Sequence, residues 1–230
     1  MRRITLALAS AIAAICFSAP ASSRAQESQV DRILENMRDH ARKITTFRAR
    51  LTYAKHFTAL GGKDDQASGV ITFWHRGKNL DDVVIRYDNP PGQVAAVLGD
   101  EVKLYKPLAN QIVITTRKKQ AEKNANFAFI ATPYTSIPEL KSQYRVSYLI
   151  DEKTESGAES ILELVPIARA AFQKLTMWVD QRTGLPNRYQ ILENNKDVTT
   201  YTLTGFEQNP KLSKDEFAVR APPGTHEIRP

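Results

Sequence analysis

The chain has a single cysteine, Cys16, and it lies in the apolar stretch 4–17 near the start. If the first residues are removed, no thiol remains for a disulfide or a thiolate metal site, and stability must come from core packing. Long apolar runs are equally scarce, because 4–17 is the only one. At about 14 residues it falls short of the roughly 20 that span a bilayer. It follows Met1-Arg-Arg, and no acid occurs among the first 25 residues, which is the order of a secretory signal. Ser23-Arg24-Ala25 supplies a small-residue cleavage pattern and would leave a chain starting at Gln26, with Ala19-Pro20-Ala21 as the second choice. Export to a periplasm is the expectation, and an uncleaved apolar anchor is the alternative. Ile15 before Cys16 is the wrong context for lipidation, which needs a small residue there and the cysteine at the cleavage point.

Catalytic constellations are lacking too. There is no Gly-x-Ser-x-Gly elbow, no His-Glu-x-x-His, no phosphate-binding Gly-rich loop and no calcium loop. His40, His56, His75 and His226 are scattered singly, and the adjacent acids Asp81 and Asp82 point to opposite faces if they lie in a strand. No enzyme activity, metal or cofactor is expected. Charge of one sign is modest: the net +7 of the whole chain becomes +4 when Arg2, Arg3 and Arg24 leave (7 minus 3). So small an excess in an exported chain argues against nucleic acid as a partner. The basic cluster Arg117-Lys-Lys119 with Lys123 reads either as a solvated turn or as a face for anionic headgroups or a partner protein. The 205 residues left after removal of 25 (230 minus 25) suit one domain, 26–230.

What is present is periodicity. Val30, Ile33, Leu34, Met37, Ala41 and Ile44 recur at helical spacing and predict an amphipathic helix, with Ser28 placed to cap it. From Phe47 the period changes to two: Phe47, Ala49, Leu51 and Tyr53 share a face opposite Arg48, Arg50 and Thr52. Short apolar segments then alternate with turn signals such as Gly61-Gly-Lys-Asp-Asp65, Asn89-Pro-Pro-Gly92, Thr183-Gly184 and Asn194-Asn-Lys-Asp197. They predict an antiparallel meander, with no strand between the turn signals Gly99-Asp100 and Lys106-Pro107, interrupted by short helical turns in 124–140. The strands are apolar on both faces in places. Trp178 opposes Leu175, Met177 and Val179, and Trp74 opposes Ile71 and Phe73. Two architectures fit: a strongly curved sheet whose concave side encloses helices or a ligand, or a sealed sandwich core.

Several landmarks in order resemble the periplasmic lipoprotein carrier (LolA) family, from about Ser28 to Ile228. They are the first helix leading into Phe47-Arg-Ala-Arg-Leu-Thr, then Gly99, Tyr105-Lys-Pro107 and Gln111, then Phe127-Ala-Phe-Ile130. Glu163-Leu-Val-Pro166, Val179-Asp-x-x-Thr-Gly-Leu-Pro186, Thr204-Gly-Phe206, Asn209 and Phe217-x-x-x-x-Pro-Pro-Gly224 complete the series. The resemblance implies an α+β fold, mainly β: an unclosed, strongly curved antiparallel β-barrel covered by the N-terminal helix and short lid helices, enclosing an apolar cavity. It implies a monomeric chaperone that takes acylated lipoprotein clients from an inner-membrane ABC-type release complex and passes them to an outer-membrane receptor.

By the same likeness Arg76, just after the second strand, corresponds to an arginine that latches the lid backbone. Gly77 follows it where the family usually has proline, and Lys103 stands where a tryptophan is expected. Leu51, Tyr53, Phe127, Phe129, Ile130, Leu140, Leu175 and Met177 are the candidates for lining the acyl-chain cavity or its lid, with plain core as the other reading. The competing function is a periplasmic lipid-binding or envelope-stress sensor protein of the same fold that delivers nothing.

Overall fold

The computed structural model describes residues 21–58, 61, 63–77, 81–123, 137–155 and 157–230. Among them, helix α1 (Ala21–Ala41) precedes two successive meanders. The first consists of β1 (Thr46–Phe57), β2 (Lys63–His75), β3 (Asp81–Asn89), β4 (Val94–Leu98), β5 (Glu101–Lys106) and β6 (Gln111–Thr116). The second consists of β7 (Tyr144–Thr154), β8 (Gly157–Pro166), β9 (Phe172–Asp180), β10 (Pro186–Glu193) and β11 (Val198–Gln208). Between them lie the short helices α2 (Arg117–Lys123) and α3 (Ile137–Gln143), and β12 (His226–Ile228) ends the series.

A single seam joins the meanders. β1 pairs antiparallel with β11, Leu51 opposite Leu203 and Tyr53 opposite Tyr201. The result is one twelve-stranded sheet with β7 at one end and β12, parallel to β6, at the other. Apart from that last pair it is antiparallel, and it is unclosed and curved. Register shifts mark where strands bend, for instance between Arg48 and Arg50 on β1 and between Ser68 and Gly69 on β2. At Gly69 the neighbouring strand comes so close that a Cβ would lie 2.1 Å from the Arg86 carbonyl oxygen. Only glycine fits that bend.

The two faces of the sheet bury different clusters, which explains the apolar residues on both sides of single strands. On the concave face Phe47, Leu51, Ile71, Phe73, Leu164, Leu175 and Ile191 pack with Val30, Ile33 and Leu34 of α1. The rings of Phe47 and Phe73 stack at 5.0 Å. On the convex face Val84, Ala96, Tyr105, Ile112 and Ile114 are covered by Phe217 and its neighbours from the C-terminal segment, and Trp74 packs there too. Arg86 holds that segment by donating to the Glu216 and Ala218 carbonyl oxygens, at 3.0 and 2.9 Å. Trp178 faces outward on the second meander, where Arg188 stacks over it at 4.3 Å and Glu152 accepts its indole N–H. The curved sheet with a helix inside, and not a two-sheet sandwich, is the architecture.

Three local expectations differ. Among the described residues α1 begins at Ala21, so Ser28 lies inside the helix and not at its cap. Ala21, Arg24, Ala25 and Gln26 are good helix formers, and nothing between them and Ser28 breaks the chain. The segment 101–106 forms a full strand, although its apolar positions are few. Lys63, Asp64 and Asp65, expected in a turn, already belong to β2.

Candidate functional site

Most of the concave face is solid. Leu51, Leu175 and Met177 are only 1, 0 and 5% exposed and sit in the same packed cluster as Phe73 and Ile191. Among the described residues two clefts flank this cluster, one at each end of the strands.

The proximal cleft, about 600 Å³, lies where β1 starts and β2 ends. Leu34 and Met37 of α1, Ile137 and Leu140 of α3, and Leu185 and Pro186 of the β9–β10 turn form its walls. Arg38, Arg42 and His75 stand among them and make its polar edge basic. Of the cavity and lid candidates, Leu140 lines this cleft. Phe127, Phe129 and Ile130 lie outside the described residues.

Three devices fix its walls, and each uses a motif from the sequence. At the β9–β10 turn, Asp180 Oδ1 accepts the N–H groups of Arg182 and Thr183, both at 2.8 Å. The turn then needs Gly184 for two reasons: its φ is +62°, and a Cβ there would lie 2.7 Å from His40 Nδ1 of α1. The helix therefore rests directly on the turn. Where α1 passes into β1, Asn209 Oδ1 accepts from Thr45 N at 2.8 Å and Asn209 Nδ2 donates to Lys43 O at 2.9 Å. By contrast, α3 has no buried residue, and Lys141 reaches α1 through an ion pair with Asp31 in which both side chains are well exposed. Such pairs contribute about 0–1 kcal/mol, so α3 is a lightly held cover.

Arg76 stands at the edge of this end, beyond β2. Its Nη2 meets both oxygens of Asp82, at 2.8 and 2.7 Å, while Gly99 N donates to Asp82 Oδ1 at 3.0 Å. Asp82 is almost fully buried and Arg76 is not. His75 Nδ1 is 2.6 Å from Asp81 Oδ1, so the two adjacent acids serve two different partners. Arg117 of the basic cluster, on α2, donates to the carbonyl oxygens of Gly99 and Asp81, and Lys119 Nζ donates to Pro230 O at 2.7 Å. Those two members of the cluster hold loops and chain end together.

The distal cleft, about 540 Å³, opens at the other end of β1, β2, β3 and β11. Its character is different. Tyr53, Tyr87 and Tyr201 converge on it, with the rings of Tyr53 and Tyr201 at 5.2 Å. Beside them Lys55 Nζ contacts both oxygens of Glu193, at 2.7 and 2.8 Å, and Thr199 donates to the same carboxylate at 2.8 Å. Burial pushes the Tyr53 and Tyr87 hydroxyls up to about 12, with the charges of Asp65 and Glu193 adding to the effect at Tyr53. Burial raises Tyr201 as well, and its hydroxyl also feels Tyr53, Tyr87 and Glu193. Nothing local in the sequence marks this cleft, because its three tyrosines come from strands far apart in the chain.

Known proteins share this architecture. The family model described as outer membrane lipoprotein carrier protein LolA matches residues 62–220. No curated protein sequence matches the chain. Among solved structures, an uncharacterised conserved protein from Thermus thermophilus superposes with a TM-score of 0.58 at 13% identity, covering 88% of this chain and 99% of that one. MucB superposes at 0.55 and 13% identity, covering 84% of this chain and 64% of its own. A DUF1329 family protein from Desulfovibrio piger superposes at 0.50 and 13% identity, covering 82% and 97%. At such identities the likeness concerns the fold.

Proposed function

Because the chain belongs to the outer membrane lipoprotein carrier (LolA) family, we propose that it is a periplasmic carrier that covers the acyl chains of a lipoprotein between the two membranes. The observation that supports this best is the proximal cleft, with apolar walls from α1, α3 and the β9–β10 turn. Each methylene hidden from water is worth about 0.8 kcal/mol, so acyl chains need a cover to cross an aqueous compartment. Chemistry is not required of such a protein.

The cleft's 600 Å³ corresponds to the order of twenty methylene groups if each takes roughly the ~30 Å³ of a liquid water molecule. That is closer to one chain than to three. A client with several chains requires the walls to part, and the lightly seated α3 is the wall that moves most cheaply. In this reading Arg76 acts at the same mouth as the latch of the lid, and Asp82 holds its guanidinium in place. Phe127, Phe129 and Ile130 would complete the lid.

Residues 1–25 are then the signal, and cleavage after Ala25 shortens α1 without touching Val30, Ile33 or Leu34. The release complex of the inner membrane supplies the client and an outer-membrane receptor takes it. Native mass spectrometry of the protein purified from its own envelope tests the reading. A triacylated lipoprotein bound one to one is the expected result. Free lipid alone, or a protein that ignores added lipoprotein, would overturn delivery in favour of a lipid-binding or sensor protein of the same fold.

A further inference from the structure

The proposed acyl-chain carriage uses the proximal cleft and leaves the distal one, which the cavity candidate Tyr53 lines, without an assigned role. Tyr53, Tyr87 and Tyr201 present hydroxyls to it, and among the described residues none of the three has a hydrogen-bond partner. Tyr201 is 8% exposed, yet no tyrosine hydroxyl is among the buried polar atoms left without a partner, so what its hydroxyl reaches is the open space of the cleft. Three such groups around one open space form a recognition surface waiting for acceptors and donors. Gln66 and Gln93 line the same space with carboxamides.

The charges there cancel. Lys55 and Lys106 face Asp65 and Glu193 (two positive, two negative), and Lys55 is already committed to Glu193 at 2.7 Å and to Asp197 at 3.6 Å. Lys106 and Asp65 have no ion pair among the described residues and balance one another, so the lining has no excess cation for an anion, and an alkyl chain would strand the hydroxyls and the ion pair away from water. Aromatic rings with neutral hydrogen-bonding groups suit an uncharged ligand that carries several hydroxyls. We infer that the distal cleft is a second binding site, for an uncharged polyhydroxyl group such as the glycerol or sugar head of a neutral lipid.

It is separate from the proximal cleft. The chain runs from Thr45, at the proximal cleft, to Tyr53, at the distal one, which is roughly 25 Å at the rise of a strand. Leu51 and Phe73 fill the way between them. Loss of either site should therefore leave the other intact.

The test uses the full mature protein and three probes below their micelle concentrations: octyl glucoside, 1-octanoylglycerol and octanoate. Calorimetry should show the two neutral-headed probes binding at least tenfold more tightly than octanoate at a site that survives in Leu140→Glu. Preference for one neutral probe over the other identifies a sugar or a glycerol source. Tyr201→Phe keeps the ring and should weaken the preferred probe about tenfold. Gln93→Ala, also in the lining, should weaken it severalfold and guards against a folding defect in the first variant. Saturation-transfer NMR should place the head-group protons, not the terminal methyl, nearest the protein. Octanoate binding to Leu140→Glu as tightly as the neutral probes do, loss of all binding in Leu140→Glu, or unchanged affinity in both cleft variants would overturn the proposal.

Discussion

The two clefts are close in size, about 600 and 540 Å³, and they open on the same concave face, yet they are built on opposite principles. At the proximal end the walls are aliphatic and one of them, α3, is scarcely buried. At the distal end the walls are strands of the sheet itself and the lining is hydroxyl, carboxamide and paired charge. One end can change volume and is indifferent to the shape of what it covers. The other is fixed and selects by hydrogen bonds. Between them lie fully buried side chains such as Leu51 and Phe73.

Breaking the wall between the clefts should have the largest effect. Leu175→Ala should destabilise the protein by about 2–5 kcal/mol, as large-to-small changes in packed cores do, measured by urea denaturation. If stability is unchanged while acyl binding falls, Leu175 lines a cavity and the wall is not solid. Next comes Leu140→Glu, which puts a charge on the movable wall. It should weaken fatty-acid binding at least 100-fold, about 2.7 kcal/mol, and leave circular dichroism unchanged, because α3 contributes no buried residue.

Arg76→Leu should cost about 1 kcal/mol of stability, since Asp82 keeps the Gly99 N–H while losing a half-exposed partner. As latch, its loss should also speed client release in a transfer assay. Normal transfer would make Arg76 a hairpin residue and nothing more.

The smallest effect concerns alkaline pH and mainly the distal end, although burial raises the Tyr144 hydroxyl on β7 as well. A tyrosine raised from 10 to about 12 by folding contributes stability that is complete below pH 10 and is lost as pH rises towards 12. Melting temperature should therefore fall between pH 10 and 12, and Tyr87→Phe should flatten that fall, while Leu140→Glu leaves its slope unchanged.

How much of this was legible beforehand depends on range along the chain. The stripe of Val30, Ile33 and Leu34 and the alternation of Phe47, Ala49 and Leu51 declare themselves because periodicity is local. The same pattern cannot say whether Leu51 or Met177 touches another side chain or a void, since both demand an apolar residue. β5 escaped because Val102 and Leu104 are its sole aliphatic side chains and lysines flank them. Trp74 looked misplaced until Phe217, more than a hundred residues on, covered it. The distal cleft left no local sign for the same reason: Tyr53, Tyr87 and Tyr201 meet only through the order of strands.

The seam between β1 and β11 has a temporal consequence. Among the described residues every other antiparallel pairing joins strands consecutive in the chain, but this one joins Phe47 to Gln208. Loop closure over so great a length is slow and comes late. In the proposed export the chain can form its hairpins in turn as it emerges, but the half-barrel cannot assemble until nearly the last strand is available.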